Sequence, residues 1–113
     1  MTHEEFNNLK TIKDEKNPFS ILYELESGER FYVEPAFFTQ LHGFKERHTS
    51  QDYQRIIDEM IRLVKKNKRI VFTANFECPQ TDVEDYIFLE INDVTDPLQI
   101  FVEDKSRGSD YGD

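Results

Sequence analysis

Three histidines, one cysteine and several paired carboxylates are the residues of this chain that could act on a substrate or hold a metal. A zinc site takes about four nitrogen or sulfur ligands at close local spacing. His3 stands alone near the start, His42 and His48 flank a polar stretch, and Cys78 has no second cysteine or histidine near it. That pattern predicts surface histidines, a loop cysteine and no metal site. Nucleophilic catalysis by Cys78 would need a base and an orienting group brought to it, and the run around Cys78-Pro79 carries no such signature. The glycines stand at 28, 43, 108 and 112, so neither a GxGxxG nor a P-loop spacing exists. Carboxylate pairs occur at Glu4-Glu5, Asp14-Glu15, Asp58-Glu59, Glu84-Asp85 and Glu103-Asp104. General acid–base work needs one carboxyl desolvated and its neighbour ionised, and pairs this common read as solvated surface. No catalytic residue, metal or cofactor is therefore expected, and the chain does not read as an enzyme.

Two clusters remain with binding chemistry. Arg62, Lys65, Lys66, Lys68 and Arg69 gather five cations that suit a phosphate or nucleotide ligand. Against this stand i, i+4 pairs, Arg55 with Glu59 and Asp58 with Arg62, which make an ion-paired helix. The last lysines would also complement the helix dipole. The second cluster is Asp82, Glu84, Asp85, Glu90, Asp93 and Asp96, set around Tyr86 and Phe88. Rings ringed by carboxylates suit a docking surface for a basic protein: the rings hold and the charges steer.

The elements that must position these residues follow from periodicity. Thr2 and Glu5 have capping-box spacing, and Phe6, Leu9 and Ile12 extend it to a helix over 3–12. Phe19, Ile21, Tyr23 and Leu25 alternate, as do Phe31 and Val33, which predicts a β-hairpin. A three-residue loop Glu26-Ser27-Gly28 pairs Tyr23 with Phe31, Ile21 with Val33 and Glu24 with Arg30, and puts glycine where φ must be positive. Pro35 opens a short helix that Gly43 ends, with 43–48 a polar linker. Thr49 or Ser50 then caps a helix over 50–67, with Tyr53, Ile56, Ile57, Met60, Ile61 and Val64 on one stripe.

Three strands follow. Ile70, Phe72, Ala74 and Phe76 alternate in the first. Ile87, Leu89 and Ile91 face opposite to Tyr86, Phe88 and Glu90 in the second. Leu98, Ile100 and Val102 face opposite to Phe101 and Glu103 in the third. Short turn-rich links favour antiparallel neighbours. The expected fold is α+β, ordered α-ββ-α-α-βββ, with one antiparallel sheet of about five strands and the 50–67 helix on one face. Residues 1–103 read as a single domain and 104–113 as a disordered acidic tail. The far face of the sheet is either an open aromatic surface or is covered by the first helix.

The 113 residues carry a net charge of −9, made of −4 over 1–34, +4 over 35–75 and −9 over 76–113. This balance opposes direct nucleic-acid binding. No apolar run approaches the 18 residues of a membrane span, the first residues lack the pattern of a secretory signal, and a single cysteine fits a reducing compartment, so a cytoplasmic protein is expected. In size, acidity and absence of catalytic signatures the chain resembles the small inhibitors that neutralise basic nucleases, toxin-immunity proteins among them. The function expected from all this is a small acidic inhibitory or immunity-type module docking on a basic partner such as a nuclease toxin. A homodimer through an edge strand or the aromatic face is compatible with the same pattern.

Overall fold

A computed structural model of the chain describes residues 1–67, 69–75 and 77–91 and the backbone of 104–106. The elements run α1 (His3–Asn7), β1 (Lys10–Ile12), β2 (Ile21–Glu24), β3 (Arg30–Val33), α2 (Pro35–Arg47), α3 (Ser50–Asn67), β4 (Arg69–Phe72), β5 (Ile87–Leu89) and β6 (Asp104–Ser106). The strands form one six-stranded sheet in sequential order. The fold is thus α+β, and its sheet is mixed. The β1–β2, β2–β3 and β5–β6 pairs are antiparallel, whereas β3–β4 and β4–β5 are parallel.

The purely antiparallel sheet expected from link lengths is corrected here. Both helices α2 and α3 lie between β3 and β4, and a helical crossover returns the chain in the same direction. Between β4 and β5 the described residues of 73–86 have no regular structure, yet the segment is long enough to run back along the sheet and make the second parallel pair.

The hairpin has the predicted register, with Tyr23 opposite Phe31 and Glu24 opposite Arg30. Its loop closes with Leu25 N–H donating to the Glu29 carbonyl at 2.8 Å and Gly28 N–H to the Leu25 carbonyl at 2.9 Å. Gly28 takes φ +102°, a conformation open to glycine because it has no Cβ.

Several element bounds differ from expectation: β2 begins at Ile21 and not Phe19, and β4 ends at Phe72, short of Ala74. The first helix has its capping box, Thr2 N–H to Glu5 Oε1 and Glu5 N–H to Thr2 Oγ1. It stops at Asn7, and Lys10–Ile12 leaves it to pair with β2, where Lys10 and Glu24 make an ion pair of 3.3 Å. Asn7 and Asn8 favour a helix end over its interior. The second helix runs through Gly43 to Arg47, so the polar linker over 43–48 is instead its last turn. Phe37, Leu41 and Phe44 are all buried on one stripe, and burying Phe44 is worth more than the roughly 1 kcal/mol a mid-helix glycine costs. Finally, Asp104–Ser106, expected outside the sheet, pairs with β5. Phe76, the strand expected over 98–103 and the rest of the tail lie outside the described residues.

The core has two parts, one on each face of the sheet. On the first face Tyr23, Phe31, Val33, Ile70, Phe72 and Leu89 join Phe6, Phe37, Leu41, Phe44 and the α3 stripe in one buried cluster. Phe31 stacks with Phe6 and Tyr23 and meets Phe72 edge-on at 5.8 Å. On the second face Leu22, Tyr32, Val71 and Phe88 form a smaller cluster, flanked by Ile12, Val83 and Tyr86.

Candidate functional site

The cover over the second face is made of loops. Residues 13–20 and 73–86 lie there, and the first helix does not, since Phe6 is packed among Tyr23 and Phe31 on the opposite face. Both alternatives weighed for the aromatic face are replaced. Phe88 is 0% exposed and Tyr32 is buried, so neither is open, and the polar segments flanking the strands close over them.

The local sequence explains the first loop. Asp14 accepts from Lys16 N–H at 3.0 Å, an Asx turn, and its carbonyl accepts from Asn17 N–H. Asn17-Pro18-Phe19-Ser20 then forms a second turn closed by Ser20 N–H to the Asn17 carbonyl at 3.2 Å, with proline at the position where its fixed φ is suited. The Tyr32 hydroxyl, reaching from the sheet, donates to Asp14 Oδ2, and Asn17 Nδ2 donates to the same oxygen at 3.1 Å. The Tyr32 hydrogen bond, followed by that of Asn17, holds the Asp14 carboxyl below its ordinary range. Burial, then the same contact with Asp14, pushes the Tyr32 phenol up.

The second loop is organised by Glu34, the residue before Pro35. Its side chain is 3% exposed and lies at the C-terminal end of β3. Oε1 accepts from the Thr73 hydroxyl at 2.7 Å, and Oε2 accepts from the backbone N–H of Gln80 and Thr81 at 2.9 and 2.8 Å. A buried carboxylate is costly unless its lone pairs are filled; here the loop backbone fills them. Thr73 in turn accepts from Asn75 N–H, and Asn75 Oδ1 accepts from Glu77 N–H at 2.9 Å.

The two loops are joined to each other. Asp82 N–H donates to Asn17 Oδ1 at 2.6 Å, and the Ser20 and Thr81 hydroxyls are hydrogen-bonded. Asn17 is 4% exposed and Thr81 fully buried, so each joint has one partner shielded from water. Between the two anchored positions stand Pro18 and Phe19. The Phe19 ring is 73% exposed, the most open large apolar side chain among the described residues, with Ile21 beside it in sequence at 36%. A ring left in water on a loop pinned at both sides has the form of a contact residue. Glu77, Asp82, Glu84 and Asp85 are all exposed on the partner loop. Asp85 takes φ +60°, which Asp tolerates better than most residues, and turns the chain into β5.

The structure therefore brings together part of the acidic set expected from sequence. Asp82, Glu84 and Asp85 share the outer loop, Tyr86 is half-buried against Tyr32 with ring centroids 5.7 Å apart, and Glu90 is half-buried past β5. Phe88 belongs to the core and is not available to a partner. Asp93 and Asp96 lie outside the described residues. Phe19 and Glu34 were not singled out by periodicity. Phe19 continues the alternation of β2 and so reads as core. Glu34 finds its partners some forty residues away. The Asn-Pro pair at 17–18 was the one local sign that the strand begins after Phe19.

The basic set is dispersed. Arg62 is held by Glu59 through Nε at 3.0 Å and through the terminal nitrogen, Lys66 points to solvent, and Lys65 lines a cleft of about 690 Å³ with Glu5, Leu9 and Glu24. Arg69 lines another cleft, and Lys68 lies outside the described residues.

The three histidines are separate. His3 packs edge-on against Tyr53, His42 pairs with Glu46 at 3.2 Å, and His48 stacks on Phe44. Cys78 is exposed. Among the described residues no group of three His, Cys, Asp or Glu side chains is placed to hold a metal ion, and no helix is long and apolar enough to cross a membrane.

No protein-family model matches the chain, and neither a curated protein nor a solved structure matches it. Its own geometry defines its class: an α+β domain whose mixed sheet carries helices on one face and two hydrogen-bonded loops on the other. Within that class the distinguishing feature is the exposed Phe19 turn beside an acidic loop.

Proposed function

We propose that the chain is a protein-binding module that docks on a basic partner through the paired loops 14–20 and 77–86. The observation that carries this reading is Phe19, open to solvent yet fixed between Asn17 and Ser20, both tied to the acidic loop. Phe19 and Pro18 act as the anchor. Asp82, Glu84 and Asp85 supply the field that draws in a cationic surface, an effect that weakens as salt shortens the screening length. Because the loops are already ordered by Glu34 and Asn17, little conformational entropy is lost on docking. An inhibitory, immunity-type role follows if the partner is a basic nuclease, since a rigid anionic loop fits a site built to receive phosphates.

The test retains proteins from native lysate on the immobilised chain at low salt and identifies them by mass spectrometry. It does so in parallel for wild type, Phe19→Ala and the double variant Glu84→Lys, Asp85→Lys. Phe19→Ala removes an exposed ring, so its stability should stay within about 0.5 kcal/mol of wild type. The expected result is one basic protein held by wild type, released by salt, and bound at least about tenfold more weakly by Phe19→Ala. The double variant should bind with a slower on-rate, and a nuclease partner should lose activity when held. The same proteins retained equally by all three would end the reading.

A further inference from the structure

At the opposite end of the same sheet face, the register places Glu24, Arg30, Arg69 and Tyr86 in one row across four strands. Glu24 is opposite Arg30 and Arg30 opposite Arg69, while Tyr86 precedes Ile87, the partner of Ile70. Paired strands lie about 4.8 Å apart, so the two arginine side chains leave adjacent backbone positions on one face, and both line the same cleft. Like charges directly opposite each other are destabilising, and the row compensates only one of them. Glu24 takes Arg30 Nε at 2.9 Å on one side and Lys10 at 3.3 Å on the other. Arg69 has no hydrogen bond or ion pair among the described residues, and the terminal nitrogens of Arg30 have none either.

The two arginines, Tyr86 and the hairpin loop Ser27–Glu29 line an open cleft of about 420 Å³. Glu29 brings one carboxylate to the wall, where the Ser27 hydroxyl donates to it. We propose that this cleft binds a phosphate monoester. A dianion matches two adjacent cations where a carboxylate would neutralise one. A guanidinium fork can present paired N–H donors to phosphate oxygens. The Tyr86 hydroxyl adds a third donor, and its ring offers a surface to the organic group. Tyr86 ends the 77–86 loop, so the cleft adjoins that loop, while the Phe19 turn precedes β2 at the end of the strand opposite Glu24.

The experiment titrates the whole chain with phenyl phosphate, inorganic phosphate and benzoate at constant ionic strength, following backbone amide shifts. The expected order of affinity is phenyl phosphate, then inorganic phosphate, then benzoate, with shifts centred on Gly28, Arg30, Arg69 and Tyr86. Arg69→Leu should lose at least about tenfold in phosphate affinity. Lys66→Leu, which removes the same charge from an exposed helix position, should change it by less than about twofold. Both variants leave the core untouched, and their melting temperatures check that. Equal losses in Arg69→Leu and Lys66→Leu, or benzoate binding as well as phosphate, would overturn the proposal.

Discussion

The two faces of the sheet are closed by different physics. The first is covered by helices whose apolar stripes meet Phe31, Ile70 and Phe72, and its stability comes from burying hydrocarbon and rings. The second has only Leu22, Tyr32, Val71 and Phe88 fully buried, and among the described residues of its loop cover Val83 and Tyr86 are the apolar side chains packed on it. It is closed by hydrogen bonds: Glu34 to Thr73, Gln80 and Thr81, Asn17 to Asp82, and Tyr32 to Asp14. A helix can cover a sheet face with non-directional contacts. An irregular segment must satisfy its own N–H groups while doing so, and here one buried carboxylate and one buried amide do it. The gain is a surface free of regular structure, on which a ring such as Phe19 can be displayed.

That contrast can be broken from either side. The largest effect should follow Phe31→Ala, which empties the centre of the helix-covered face. About 4 kcal/mol of stability should be lost, with amide protection falling throughout the molecule, read by denaturant titration and hydrogen exchange. Glu34→Ala should cost less, about 2–3 kcal/mol, because it orphans the N–H groups of Gln80 and Thr81 but leaves the helix-covered core filled. Its signature should be local, with exchange accelerating at Gln80, Thr81 and Asp82 while α3 stays protected. If Glu34→Ala unfolds the chain as far as Phe31→Ala does, the loop face is no secondary layer.

The smallest effect is a pH dependence. The Asp14 carboxyl is held low when folded, so its contribution to stability is present above its unfolded value near pH 4. That contribution is lost as pH falls through the depressed folded value. Tyr32→Phe removes the main cause. The stability gap between wild type and Tyr32→Phe should therefore be widest near neutrality and narrow below about pH 4, measured by denaturant midpoints across pH. A gap independent of pH would show that Tyr32 acts on the second face by packing alone.

What the sequence discloses follows the same division. The stripe of α3, the capping box at Thr2 and the pairing of Tyr23 with Phe31 are local or fixed by one turn, and periodicity reads them. The split of Ile87 and Leu89 from Phe88 onto opposite faces was legible for the same reason. The extension of α2 past Gly43 was not, because the burial of Phe44 outweighs a local propensity. Nor were the parallel pairs, since β3–β4 depends on two helices returning the chain together and β4–β5 on where the segment 73–86 runs. The candidate site was half legible. Its acidic residues were visible as composition, but its anchor was concealed by alternation, and Glu34 looked like any carboxylate before a proline.

The hairpin tip has one further consequence. At Gly28 the backbone sits at φ +102°, and a methyl group built there meets nothing within 4 Å. Handedness alone therefore decides what the position accepts. L-Alanine would be strained by about 1 kcal/mol. Its D-enantiomer, introduced by chemical synthesis, would be at ease and would narrow the conformations open to the unfolded chain, adding up to about 1 kcal/mol of stability. Thermal unfolding of the two diastereomeric proteins should place them on opposite sides of the natural one.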